Sequence, residues 1–169
     1  AKVHLHCDSA LATPFDDETF DAAYMMHVGM NIEAKGELFS EMKRVLKPGG
    51  RLLVYDIMRG EDETSSLTFP LPWASAAEIS HVRAPERYEL HLEQAGFAIH
   101  HIKPRRDIAD EFFRRIEDSQ GKPAPPLSTA TLMGKTAADK IANLLAAYRA
   151  DQIVPVEILA KKPKPTATE

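Results

Sequence analysis

Cysteine, tryptophan and long apolar runs are nearly missing from this chain, and each shortage removes a class of explanation. Cys7 is the one thiol among 169 residues, so no internal disulfide can form. A reducing compartment, and with it a cytoplasmic location, is the expectation. No stretch approaches the roughly 20 apolar residues that span a bilayer. No basic start followed by an apolar core marks a secretory signal. Membrane partners are therefore not expected. A formal net charge of −4 leaves no electrostatic footprint for nucleic acid, and no basic stripe alternates with aromatics. The Gly-x-Ser-x-Gly elbow of α/β hydrolases does not occur, nor does a Walker phosphate loop. The pairs His4/His6 and His100/His101 lack an accompanying cysteine or carboxylate cluster, so no metal site is expected.

What is present is an ordinary globular composition, 44% hydrophobic and 27% charged, in a chain long enough for one domain with a real core. Its most telling stretch is Arg44-Val45-Leu46-Lys47-Pro48-Gly49-Gly50-Arg51-Leu52-Leu53-Val54. Pro48 cannot continue a helix and biases Lys47 away from helical dihedrals. The two glycines permit a turn. Residues 52–57 then form an apolar run that suits a parallel strand covered on both faces. Asp56 stands near its C-terminal end, the edge where open α/β sheets bind ligands.

The same reasoning orders the rest of the chain. Alternation of Val3, Leu5 and Cys7 predicts a short strand, and residues 20–27 a second. Asn31 is a candidate cap for a helix over residues 33–46. A short helical piece is expected near residues 74–80, and Trp73 before it is read first as packing. Pro85 suits the first turn of a helix that ends at Gly96. A strand over residues 97–102 follows, then a helix capped by Asp107. Residues 122–126 read as a proline-rich break. Thr136 and Asp139 suggest a capping box for a helix striped by Ile141, Leu144, Leu145 and Tyr148. A last strand is expected at residues 153–159. Helices alternating with apolar strands indicate an α/β fold with a mostly parallel sheet.

At this point the residues resemble a known family, the class I S-adenosylmethionine-dependent methyltransferases of the "methyltransferase 11" type. The pieces are Ala12-Thr13-Pro14-Phe15-Asp16-Asp17-Glu18-Thr19-Phe20-Asp21, His27, the Arg44-to-Leu52 stretch, and Leu92-Glu93-Gln94-Ala95-Gly96-Phe97. His27-Val28-Gly29-Met30-Asn31-Ile32 and Leu132-Met133-Gly134 look most like sarcosine/dimethylglycine N-methyltransferases. The resemblance implies the C-terminal part of a Rossmann-like fold, with an antiparallel last strand and a helical cap. Residues 1–160 would be a partial domain with cap segments 59–84 and 105–150, and residues 161–169 a flexible tail. The family's full sheet order, 3-2-1-4-5-7-6, would leave the strand at residues 20–27 as an open edge.

The resemblance also implies a site. S-adenosylmethionine is the expected cofactor and a small molecule the acceptor. Counting back from Pro14 without a gap puts Ser9 and Ala10 at the adenine-binding positions. One inserted residue puts Asp8 there, preferred for its charge. Met26, His27 and Val28 would flank the methionine part. His27 is the first candidate base, with Tyr55 and Asp56 next. The glycine-rich loop and ribose-binding acid of the family would precede Val3, so the expectation is a piece of a longer enzyme that binds cofactor weakly by itself. A homodimer that borrows strands, or a non-catalytic oligomerisation or regulatory module on the same scaffold, is the alternative.

Overall fold

The computed structural model describes residues 3–62, 64–119 and 129–165. Four strands form one sheet in the order β1-β2-β4-β3. They are β1 (Phe20–Met26), β2 (Leu46–Arg59), β3 (Ala98–Pro104) and β4 (Ile153–Lys161). β1 pairs parallel with β2, while β4 lies antiparallel between β2 and β3. This matches the 4-5-7-6 half of the order that the resemblance implies, with an antiparallel last strand. Three strands run in one direction, and the unpaired side of β1 is a sheet edge carrying exposed Tyr24 and Met26.

The two faces of β2 are covered differently. Leu52, Val54, Asp56 and Met58 are fully buried, whereas Leu53, Tyr55 and Ile57 between them are half-buried. Period-2 geometry sends the two sets to opposite faces. The first set packs under α1 (Lys35–Val45) and α2 (Pro85–Gln94), where Leu38, Phe39, Tyr88 and Leu92 complete the core. The second set faces α3 (Arg106–Ser119) and α5 (Ala137–Arg149) across a cavity. A short α4 (Thr129–Met133) precedes α5. The even covering of both faces expected for residues 52–57 is thus corrected. One face is sealed and the other is only part covered.

Several local expectations change. Residues 3–8 form no strand and are exposed. Their alternation is real, but among the described residues no neighbouring strand takes up the backbone hydrogen bonds, and alternation without a partner does not hold a strand. Asn31 caps nothing and closes a short 3₁₀ turn, Gly29–Asn31, while α1 starts later at Lys35 behind Ala34. Pro48 does end the helix, yet Gly49-Gly50 is not a separate turn. α1 passes directly into β2 at Leu46, and the glycines form an irregularity between the Phe20–Leu46 and Ala22–Arg51 pairs. Gly49 takes the positive φ of 84° that this bulge requires.

Near residues 74–80 the helical piece is a single 3₁₀ turn, Ala77–Ile79. Asp107 lies inside α3 and pairs with Arg105 instead of capping. Thr136 precedes α5 without a side-chain capping bond. Lys161 and Lys162, expected in the tail, are tied down: Lys161 pairs with Arg51 and Ala98, and Lys162 exchanges backbone bonds with Gly49 and Gly50. The proline-rich break at residues 122–126 lies outside the described residues, as do residues 166–169.

Candidate functional site

β1 and β2 are parallel, so their C-terminal ends share one edge of the sheet, and the chain leaves β1 there through His27. His27 adopts φ 55°, an uncommon conformation for a non-glycine residue. Its backbone N–H still donates to the Tyr55 carbonyl at 2.9 Å, and its ring meets the Tyr55 ring edge-on with centroids 5.3 Å apart. The strained corner therefore sets the imidazole beside Tyr55 at the mouth of a cavity of about 520 Å³.

Asn31, Tyr55 and Ile57 line the cavity on the sheet side, and Ile153 and Pro155 of β4 extend that floor. The opposite wall comes from the cap helices, with Ile108, Phe112 and Phe113 on α3 and Ile141, Leu144 and Tyr148 on α5. Trp73 closes one side, its indole N–H fixed on Ser80 Oγ at 3.0 Å. Desolvation lowers the His27 pKa, so at neutral pH its imidazole is uncharged and able to accept a proton. The ring is exposed by area, yet enough apolar surface borders it to disfavour the cation. Burial pushes the Tyr55 phenol up, with the nearby Arg105 guanidinium opposing.

Of the three candidate catalytic residues the structure brings two together, His27 and Tyr55. Asp56 is on the other face, fully buried, and does not line the cavity. Its Oδ2 accepts from Tyr88 Oη at 2.9 Å. Burial raises its pKa to about 6, with the Tyr88 hydrogen bond and the Lys35 charge pulling the other way. Lys35, also buried, donates to the carbonyls of Gly29, Ile32 and His81 at 2.8–2.9 Å and sits 5.0 Å from the Tyr88 ring centroid. Desolvation brings its pKa down to about 8, against the attraction of Asp56. These groups lock the turn that carries Met30 and Asn31 into the cavity wall. No sequence pattern marked Lys35, because the turn that supplies two of its acceptors was not expected and the third, His81, is 46 residues away.

Of the expected cofactor residues, His27 lines this cavity, while Asp8, Ser9, Ala10, Met26 and Val28 lie outside it. Asp8 is exposed, near His6. Ser9 forms a tight turn with Ala12 and its Oγ accepts from the Leu11 N–H at 3.2 Å, while Ala10 rests against the core. Met26 and Val28 flank His27, 52% and 39% exposed. The loop that holds Asp8 to Ala10 is anchored by Glu41, which accepts from both the N–H and the hydroxyl of Thr13 and pairs with Arg44.

The two glycines at the exits of β1 and β2 offer no open cradle. A Cβ on Gly29 would strike the Asp56 carboxylate and approach Tyr88 Oη to 2.9 Å, and one on Gly60 would strike the Asp151 backbone. The described residues build a cavity of about 520 Å³ with the exposed His27 corner beside it.

Residues 1–54 match the family model described as a methyltransferase domain. The fold is a Rossmann-like methyltransferase fold. A structure from Galdieria sulphuraria assigned as a sarcosine dimethylglycine methyltransferase superposes with a TM-score of 0.68 at 18% identity, over 92% of this chain and 58% of that one. Geranyl diphosphate C-methyltransferase from Streptomyces coelicolor A3(2), solved with Mg2+, geranyl diphosphate and S-adenosyl-L-homocysteine, gives 0.66 at 18%, over 93% and 52%. Sterol 4-C-methyltransferase strm-1 of Caenorhabditis elegans is 43% identical over 49 residues, 29% of this chain and 15% of that protein. The chain thus spans little more than half the length of the two solved structures, and far less of the curated relative.

Proposed function

We propose that this chain carries the acceptor side of an S-adenosylmethionine-dependent methyl transfer to a small molecule, as part of a longer enzyme. One observation carries the reading: His27 and Tyr55 meet at the mouth of a cap-covered cavity, at the ligand edge of a methyltransferase sheet. When bound, S-adenosylmethionine supplies an activated methyl group on a sulfonium. This chain's residues have the simpler tasks of holding the acceptor, excluding water and receiving a proton. His27, neutral at pH 7, is the base that takes the proton of a hydroxyl or amine acceptor. Tyr55 orients that group, and Asp56 acts at a distance by holding the turn that positions Asn31.

Asp8, Ser9, Ala10, Met26, His27 and Val28 are proposed to meet one edge of the cofactor. The remaining contacts would come from strands joined to the free side of β1, since an unpaired apolar strand edge invites such pairing. Isothermal titration with S-adenosylhomocysteine tests this reading. The 169-residue chain alone should bind weakly, and micromolar binding by its monomer would show that it holds a complete cofactor site. A tight obligate dimer with no binding at all would favour an oligomerisation module.

A further inference from the structure

The polar groups around the cavity are unevenly spent. On the cap side, each polar side chain that borders it is already engaged. Tyr148 Oη lies 2.7 Å from Asp110 Oδ1, and Trp73 Nε1 donates to Ser80. Arg105 and Arg106, at the start of α3, are held by Glu157 and Asp107, and by Asp151, respectively. No lysine, arginine, aspartate or glutamate lines the cavity among the described residues, and no group among them could hold a metal ion. At the sheet side, by contrast, no hydrogen bond to another described residue engages the side chains of His27, Asn31 or Tyr55. One end of the cavity can therefore make hydrogen bonds, while the body offers apolar and aromatic surface from Phe112, Phe113, Ile141 and Leu144.

From this polarity we infer that the acceptor is a neutral, mostly apolar molecule that presents one hydrogen-bonding group to His27, Asn31 and Tyr55. The inference rests on the proposed reading of this cavity as the acceptor site. A phosphate or carboxylate in the body of the cavity would be desolvated without a counter-charge from the described residues that line it, which costs several kcal/mol. A hydroxylated aromatic or aliphatic body loses nothing of that kind and gains from burial. The volume lies within the range of pockets that enclose ligands of drug size.

The test needs no cofactor, so its result is separate from the S-adenosylhomocysteine titration. The neutral fluorescent probe N-phenyl-1-naphthylamine is titrated into the chain. It is then displaced with 2-naphthol or with 2-naphthyl phosphate, which share one ring body and differ in charge. Probe binding is expected, with 2-naphthol displacing it at a concentration at least about tenfold below that needed by the phosphate. Phe112→Ala and Ile141→Ala, each checked by circular dichroism, should weaken the probe several-fold. Leu132→Ala, an exposed position outside the lining, should not. Equal or better displacement by the phosphate overturns the inference. So does an absence of probe binding, or full affinity in folded Phe112→Ala and Ile141→Ala variants.

Discussion

Tyr55 and Asp56 are neighbours in sequence, yet the sheet sends them into different environments. On the α1/α2 face, Asp56 is sealed with Tyr88 and Lys35 beneath Phe39 and Leu92. Its polar groups serve the fold: they hold one turn and are unavailable to a ligand. On the α3/α5 face, Tyr55 opens onto a cavity beside His27. The cover there is looser, with Phe112 37% and Ile108 41% exposed. The contrast separates scaffold from site. A titratable group at the ligand edge of a strand counts toward chemistry only on the face that stays open.

The contrast is broken most strongly by truncating one aromatic on each face. Phe39→Ala removes a fully buried side chain and should cost about 3–5 kcal/mol in urea unfolding. Phe112→Ala removes a partly exposed ring packed on Phe113 and should cost about 1 kcal/mol. Equal costs would mean that the α3/α5 face is as much a core as the other. Gly29→Ala comes next, because its Cβ would press on Asp56, Tyr88 and Met25; overpacking of this kind costs about 1–3 kcal/mol. Tyr88→Phe deletes the one side-chain hydrogen bond that Asp56 receives from the described residues and should cost a similar ~1–3 kcal/mol by leaving a buried acceptor unpaired.

How far was this contrast legible beforehand? The strand order and the helical cap followed from the resemblance and from apolar patterning. So did the individual stripes of α3 and α5. That those stripes close over one cavity did not follow, since stripes record a buried face without saying what it faces. The separation of Asp56 from Tyr55 was available from period-2 alternation through residues 52–58. It was obscured because both sets of alternate residues are apolar, so the run reads as uniformly buried. Lys35 was invisible for a different reason. Its ammonium is held by two carbonyls of the preceding turn and by that of His81, 46 residues away, a gathering that only the folded chain produces. Residues 3–8 show the opposite failure, a legible pattern with no partner strand among the described residues.

The sealed face should also announce itself in the pH dependence of stability. The folded pKa of Asp56, about 6, is above its unfolded value of 3.8. The native state therefore binds more protons than the unfolded state between those values, and its contribution is full below pH 3.8 and lost as pH rises through 6. The folded pKa of Lys35, about 8, is below its ordinary 10.5. Its contribution is present above 10.5 and lost as pH falls through 8. Together the pair predicts lowest stability between about pH 6 and 8 for this cluster. Urea midpoints of the parent chain and Asp56→Asn test it, with the variant expected to flatten the decline between pH 4 and 6. An unchanged slope would mean that Asp56 is not sealed. His27, on the open face, has its pKa lowered from 6.5, so its contribution is lost as pH falls below that value, and His27→Gln should remove this slope, which opposes that of Asp56.

The smallest expected effect concerns the loop before β1, which belongs to neither face. Glu41 takes two hydrogen bonds from Thr13 and an ion pair from Arg44, and the Arg44 hydrogen bonds chiefly hold its pKa down to about 2. Its contribution is present above the ordinary 4.5 and lost as pH falls through 2. Glu41→Gln keeps the shape and one acceptor but removes the charge, so a loss of about 0.5–1.5 kcal/mol is expected. Amide exchange should rise in residues 9–15 more than in α1, because the loop has few other anchors. If exchange rose equally in both, Glu41 would be holding the helix itself rather than the loop.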